Sequence, residues 1–137
     1  PDMAAAREGK ALDFEKIVAA ARARIGQGTL FIEGVGGVMV PLDARHTVLD
    51  LIAALKLPLI VVTGSYLGTI SHTLTAMEVI ARAGLGAATL IVNESAGSAV
   101  PLADTVAALE RFLPGIAIRA LPRQPAAGDF ASLAALF

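Results

Sequence analysis

Two loops in this sequence carry residues whose type and spacing could do chemistry. The first reads Glu33-Gly34-Val35-Gly36-Gly37-Val38-Met39-Val40-Pro41-Leu42. An acid followed by bare backbone can hold Mg²⁺ directly or through water, and the glycines let main-chain N–H groups come close to a phosphate or carbamate. A plain glycine turn with a solvated Glu accounts for the same residues equally well. The second loop is Thr63-Gly64-Ser65-Tyr66-Leu67-Gly68-Thr69-Ile70-Ser71-His72. It leads into a helical pattern, and the free N–H groups of a helix start, with the Thr69 and Ser71 hydroxyls nearby, suit a carboxylate or phosphate. Many such starts hold only water. His72 reads as a packed or capped helix residue rather than a general base, because no acid is placed beside it. Met39, Met77 and the few aromatic residues read most simply as core.

Other chemistries have no residues to carry them. No stretch of the 137 residues matches the phosphate-loop pattern G-x-x-x-x-G-K-[ST], and the Gly9-Lys10 pair sits in an alanine-rich context that reads as helical. There is no G-x-S-x-G elbow, no H-E-x-x-H helix and no His cluster, which removes serine-hydrolase and zinc-hydrolase readings. The chain has no cysteine, so disulfides, thiolate metal sites and thiol nucleophiles are excluded together. With 11 Lys+Arg against 12 Asp+Glu, a net charge of −1, there is no electrostatic footprint for nucleic acid or an anionic membrane.

The elements that must position these loops are legible from periodicity. Asp13 is an N-cap, and Phe14, Ile17, Val18, Ala21 and Ile25 follow at helical spacing up to Gly26 and Gly28. Thr29-Leu30-Phe31-Ile32 reads as a buried strand ending at Glu33. Thr47 caps a helix to about Leu55, and Pro58 opens a second buried strand, Leu59-Ile60-Val61-Val62. A helix over Gly68 to Ala83, a third strand over Ala87 to Val92, and a helix marked by Leu102, Val106, Leu109 and Leu113 come next. The apolar stretch Ile116 to Leu121 and a last short helix over Phe130 to Phe137 complete the pattern.

Apolar strands alternating with helices imply an α/β fold with a parallel sheet covered on both faces and right-handed crossovers. The length is that of a single domain spanning residues 1–137, with one core. In such sheets ligands gather beyond the strand C-termini, after Ile32, Val62, Val92 and Ala120. Charged residues are only 17% where about 25% is usual, so some face is expected to be covered by an oligomer partner or by further polypeptide. The most apolar region, Val48 to Val62, is broken by Asp50, Lys56 and Pro58, so neither a membrane span nor a membrane partner is expected. There is no signal-peptide pattern, a cytoplasmic protein is expected, and the opening on Pro1 rather than Met suggests a trimmed or partial chain.

The stretch Glu33-Gly34-Val35-Gly36-Gly37…Pro41-Leu42, followed by Leu59-Ile60-Val61-Val62-Thr63-Gly64 and Leu67-Gly68-Thr69-Ile70-Ser71-His72-Thr73-Leu74-Thr75, resembles dethiobiotin synthetase in order and spacing. Asn93, Leu121-Pro122 and the ending Ser132 to Phe137 continue the resemblance, which covers nearly the whole chain. Pro1-Asp2-Met3-Ala4-Ala5 looks like the segment just after that family's substrate-contacting Ser-Pro turn.

The resemblance implies a three-layer parallel sheet of the P-loop NTPase type, incomplete at its N-terminal side. It implies an ATP- and Mg²⁺-dependent cyclo-ligase of biotin synthesis that closes a cyclic urea on 7,8-diaminopelargonic acid with CO₂, acting as a homodimer. Carried over residue by residue, Glu33 is the metal ligand and the one catalytic residue. Glu33, Gly34, Val35, Gly36, Asn93, Glu94, Pro122, Arg123, Gln124 and Asp129 face the nucleotide, with Asn93 reading adenine. Val35, Gly36 and Gly37 line the carbamate and phosphate region in what the resemblance implies. Gly68, Thr69, Ile70 and Ser71 receive the substrate carboxylate from a neighbouring subunit. Ser71 departs from a common asparagine, and Thr105 from a position where a substrate-side tyrosine can occur.

The family's phosphate loop with its Lys and Thr, a second Mg²⁺-binding Asp and another catalytic Lys have no counterpart in these residues. The expectation is therefore that the 137-residue chain by itself is inactive. Competing readings are a cobyrinic acid synthetase or MinD/ParA-type ATPase, against which the two loops speak, and a non-catalytic truncated homologue kept for dimerisation.

Overall fold

The structure is a computed structural model that describes residues 1–134. It divides into two compact units, Pro1–Leu57 and Pro58–Phe137.

In the first unit α1 (Asp2–Arg7) buries no residue, and it ends before Gly9-Lys10, which lies in the following turn and not in a helix. α2 (Phe14–Arg22) starts at Asp13, whose carboxylate accepts from Lys16 N at 3.1 Å. The periodicity predicts a longer helix, but the chain tightens after Ala23 into three-residue turns, with Arg24 N donating to Ala21 O and Ile25 N to Arg22 O. Tightening rotates later side chains off the original face, and Ile25 is 44% exposed. α3 (Val48–Leu55) opens with a reciprocal capping box between Thr47 and Asp50, with Thr47 N donating to Asp50 Oδ2 at 2.6 Å. Phe14, Val18, Leu42, Val48 and Leu51 form this unit's core.

The expected strand Thr29–Ile32 is not formed. A buried parallel strand needs a neighbour on its ladder and cover on its faces. All three strands of the described sheet lie in the second unit, and Ile32 and Val35 are exposed.

The second unit holds β1 (Leu59–Gly64), α4 (Thr69–Arg82), β2 (Ala87–Asn93), α5 (Leu102–Phe112), β3 (Ile118–Leu121) and α6 (Ala127–Ala134). The strands pair in parallel in the order β1-β2-β3, with α4 and α5 as the crossovers. Both helices contact the sheet and each other. They enclose Leu90, Val92 and Leu109, all fully buried, with Val61, Ile70, Leu74 and Ile118 packed around them. Val62, which alternation turns to the opposite face, is 64% exposed. The protein is thus α/β with a small parallel sheet. α6 begins three residues earlier than the expected last helix, and residues 135–137 of that expectation lie outside the described residues.

Among the residues read as core, Phe14 and Met77 are buried, whereas Phe31, Met39, Phe112 and Phe130 are exposed. Residue type alone does not tell an interior apolar side chain from an exposed one. Among the described residues no helix is long and apolar enough to cross a membrane.

Candidate functional site

Strand register brings three loop starts side by side. Gly64 pairs with Asn93, and Asn93 pairs with Leu121, so the C-terminal ends of β1, β2 and β3 are level. The loops leaving them enclose a cleft of about 570 Å³ lined by Val62, Thr63, Gly64, Tyr66, Asn93, Glu94, Ser95, Ala96 and Arg123. This is where a parallel α/β sheet leaves room for a ligand.

Two serines lace the first two loops together. Ser65 N donates to Ser95 Oγ at 3.1 Å and Ser95 N donates to Ser65 Oγ at 3.0 Å, with Ser65 fully buried. Ser98 Oγ donates to the Ser65 carbonyl and accepts from Val100 N at 3.0 Å. The loops pass so closely at Gly64 that a Cβ there would stand 2.5 Å from Ser95 Oγ and 2.9 Å from Tyr66 Cδ1. Behind them runs a line of hydroxyls. Thr73 donates to Thr63 at 2.8 Å, Thr63 and Thr69 are 2.8 Å apart, and Thr69 donates to the Gly64 carbonyl at 2.7 Å.

On the other wall Asn93 is exposed at the end of β2. Glu94 N donates to Leu121 O at 2.8 Å, and its Oε2 accepts from Arg123 N at 2.8 Å. Of the residues expected at the nucleotide, Asn93, Glu94 and Arg123 line the cleft, and Pro122 and Gln124 flank Arg123 without lining it. Asp129 sits in the first turn of α6, where its carboxylate accepts from Ala126 N at 2.7 Å. Val62, Tyr66, Ser95 and Ala96 were not anticipated as cleft walls. The position of Tyr66 and Ser95 just past two strand ends is the signal that could have found them.

At the start of α4, Gly68 is the N-cap with φ 94°, a left-handed conformation that favours glycine, and no side chain caps the helix. Thr69 is buried with its hydroxyl committed to Gly64, and its N–H donates to Tyr66 O at 3.0 Å. Ile70 packs into the core and Ser71 is exposed. A ligand at this end would thus meet main chain and Ser71 rather than the Thr69 hydroxyl. His72 is exposed, not packed, and its Nδ1 lies 3.1 Å from Tyr66 Oη. Thr105 is fully buried and donates to Pro101 O at 3.3 Å, so it offers a substrate nothing.

In the first unit the Glu33–Leu42 loop is tied to the start of α3. Val48 N donates to Val40 O at 3.0 Å and Leu49 N to Val38 O at 2.7 Å, which satisfies two N–H groups of the helix start. Gly34 lies against Val48, where a Cβ would come within 2.6 Å of Cγ1. Gly36 and Gly37 have φ of 79° and 132°. Glu33 is exposed and no ion pair engages it among the described residues, nor does any group of three or more His, Cys, Asp or Glu form there. A hard divalent cation takes six or more oxygen ligands, of which a lone carboxylate supplies one or two.

One arrangement escaped the sequence reading. His46 Nδ1 lies 2.9 Å from Asp43 Oδ2, and its ring stacks on Phe14 at 4.0 Å between centroids. The His46 hydrogen bond, with the N–H groups of Arg45 and His46, holds the Asp43 carboxyl down at about 2. The D-x-x-H spacing was the available signal.

Relatives extend these observations. A protein of Acidiphilium cryptum named ATP-dependent dethiobiotin synthetase BioD is 47% identical over 115 residues, which are 82% of this chain and 52% of the relative. Proteins of the same name from Caulobacter sp. K31 and Methylobacterium nodulans are 43% and 44% identical over 90% and 81% of this chain, and 54% and 51% of their own lengths. The chain spans about half the length of the curated relatives it matches, and they bear out the resemblance read from the residues. Residues 1–129 match the AAA domain family AAA_26, which carries the P-loop NTPase fold. The match runs through both loops and all three strands, and the chain belongs to that family.

Proposed function

We propose that residues 1–137 are part of one α/β domain of an ATP-dependent dethiobiotin synthetase, and that the cleft between the strand ends takes the adenine of ATP. The observation that carries this reading is the level register of Gly64, Asn93 and Leu121, which sets the exposed Asn93 amide at the edge of the cleft. An asparagine can accept from the adenine amino group and donate to a ring nitrogen. Sequence identity of 41–47% to proteins named for that reaction supports the same assignment.

In the proposed reaction 7,8-diaminopelargonic acid takes up CO₂ as a carbamate, ATP phosphorylates it, and the second amine displaces phosphate. Such chemistry rests on positioning and charge neutralisation. Glu33 would hold Mg²⁺, whose part is to neutralise phosphate charge, while the N–H groups of Val35, Gly36 and Gly37 hydrogen-bond the carbamate and phosphate oxygens. Main chain at Gly68 to Ser71 would receive the substrate carboxylate of a homodimer partner. The protein acts in the cytoplasm in this reading.

The test is a titration of the chain with adenosine and with ATP, followed by amide and side-chain NMR. Saturable adenosine binding that shifts the Asn93 amide, is lost in Asn93→Ala, and is not tightened by the phosphates of ATP is the expected result. No binding, or shifts confined elsewhere, would refute the reading.

A further inference from the structure

We infer that Asp43 and His46 are positioning residues for the Glu33–Val40 loop: their pair locks the turn through which that loop is held on α3. Its value to the reaction rests on the function proposed above for the loop. Gly36 and Gly37 stand at φ of 79° and 132°, and backbone without β-carbons has wide conformational freedom. The order of the loop comes from main-chain bonds to the start of α3, Val48 N to Val40 O at 3.0 Å and Leu49 N to Val38 O at 2.7 Å. Those bonds need Val40 and Val48 opposite one another, and the turn between them brings that about. Within it Pro41 and Thr47 bridge antiparallel, and Leu42 N donates to His46 O at 2.7 Å.

The Asp43 carboxylate closes this turn from within. Its Oδ1 accepts from Arg45 N and His46 N, each at 2.8 Å, and its Oδ2 lies 2.9 Å from His46 Nδ1. The neutral imidazole can carry its proton on Nδ1, as the charged form does, so it can donate to Asp43 in either state. Its second hold is Phe14 of α2, on which the ring stacks at 4.0 Å between centroids and 9° between planes. Phe14 is buried in one core with Leu42 and Val48, the residues that flank the turn. The imidazole thus fastens the turn to α2, and the turn fastens the loop to α3. A glycine-rich loop fixed before a ligand arrives has its ordering cost removed from binding. Asp43 and His46 serve the loop in this way without belonging to it.

The experiment is amide hydrogen exchange of the full chain by NMR, with amide chemical shifts, in the absence of ligand. His46→Phe keeps a ring beside Phe14 and removes the donor to Asp43. It should speed exchange at Leu42, Val48 and Leu49 by about tenfold or more, the worth of a hydrogen bond to a charged group, and shift the Gly36 and Gly37 amides. His46→Asn, whose side-chain amide still donates, should recover most of the Leu49 protection, a rescue that packing alone does not give. Val18→Ala opens the same core without removing a bond of the pair. It should speed exchange evenly through the first unit and leave the Gly36 and Gly37 shifts in place. A His46→Phe chain whose Leu49 exchange and glycine shifts match the native ones, or whose changes are as evenly spread as those of Val18→Ala, overturns the inference. A chain that responds as expected here but binds no adenosine overturns the proposed function and leaves the hold of the pair on the loop standing.

Discussion

Replacing Ser65 by alanine tests the lacing that shapes the cleft. The residue is wholly buried, and its Oγ accepts the Ser95 N–H at 3.0 Å, while Ser95 returns the bond to Ser65 N at 3.1 Å. Removing the hydroxyl leaves the Ser95 N–H, in a half-buried loop, with no acceptor, and an orphaned buried donor costs about 1–3 kcal/mol. The loss expected is about 2 kcal/mol, which for a chain of this size lowers Tm by about 6–10 °C. Ser95→Ala should cost at least as much, because the N–H it strands belongs to the fully buried Ser65. Ser71→Ala, on the exposed start of α4, should stay within about 0.5 kcal/mol. Urea unfolding followed by circular dichroism and by the fluorescence of Tyr66, the single tyrosine in a chain without tryptophan, would read both the fold and this loop. A Ser65→Ala chain within about 0.5 kcal/mol of native would refute the reasoning, since an unpaired buried amide cannot be that cheap.

Two further outcomes follow from the cores and charges. Leu109→Ala, at the centre of the Leu90–Val92 cluster, should destabilise the fold by about 2–5 kcal/mol in the same denaturation experiment. Asp43 has its folded pKa lowered to about 2 from 3.8, so its contribution to stability is complete above the higher value and lost as pH falls through the lower. Asp43→Asn should flatten the acid limb of the pH–stability curve between those values. An unchanged limb would show that the His46 bond does not form in solution.

Much of the second unit was legible because local signals and global packing agree there. Thr63-Gly64 at the end of an apolar run, Gly68 before a helical period and Asn93 closing the third strand all lie where periodicity put them. Thr47 was equally readable as a cap, since a capping box is satisfied within three residues. The segment Thr29–Ile32 was not, because its residues are right for a strand whose existence depends on a neighbour that the first unit does not supply. Ile25 failed for a different reason, a tightening of the helix end that hydrophobic spacing does not encode. The Asp43–His46–Phe14 arrangement depends on a turn and a ring contact 32 residues apart, and periodicity is blind to both.

By itself the sequence determined most of the element types of the second unit, the absence of thiols and of a phosphate-loop motif from these residues, and the family whose loops it carries, because each rests on residue identity and local spacing. Only the tertiary structure decided which of those residues share a wall. The parallel register put Gly64, Asn93 and Leu121 level, Pro122 broke the ladder so that Glu94 met Arg123, and the Thr69 hydroxyl was turned inward to Gly64. Hydrogen bonds between distant strands are settled by register and by which donors are left over, and neither can be counted until the chain is folded.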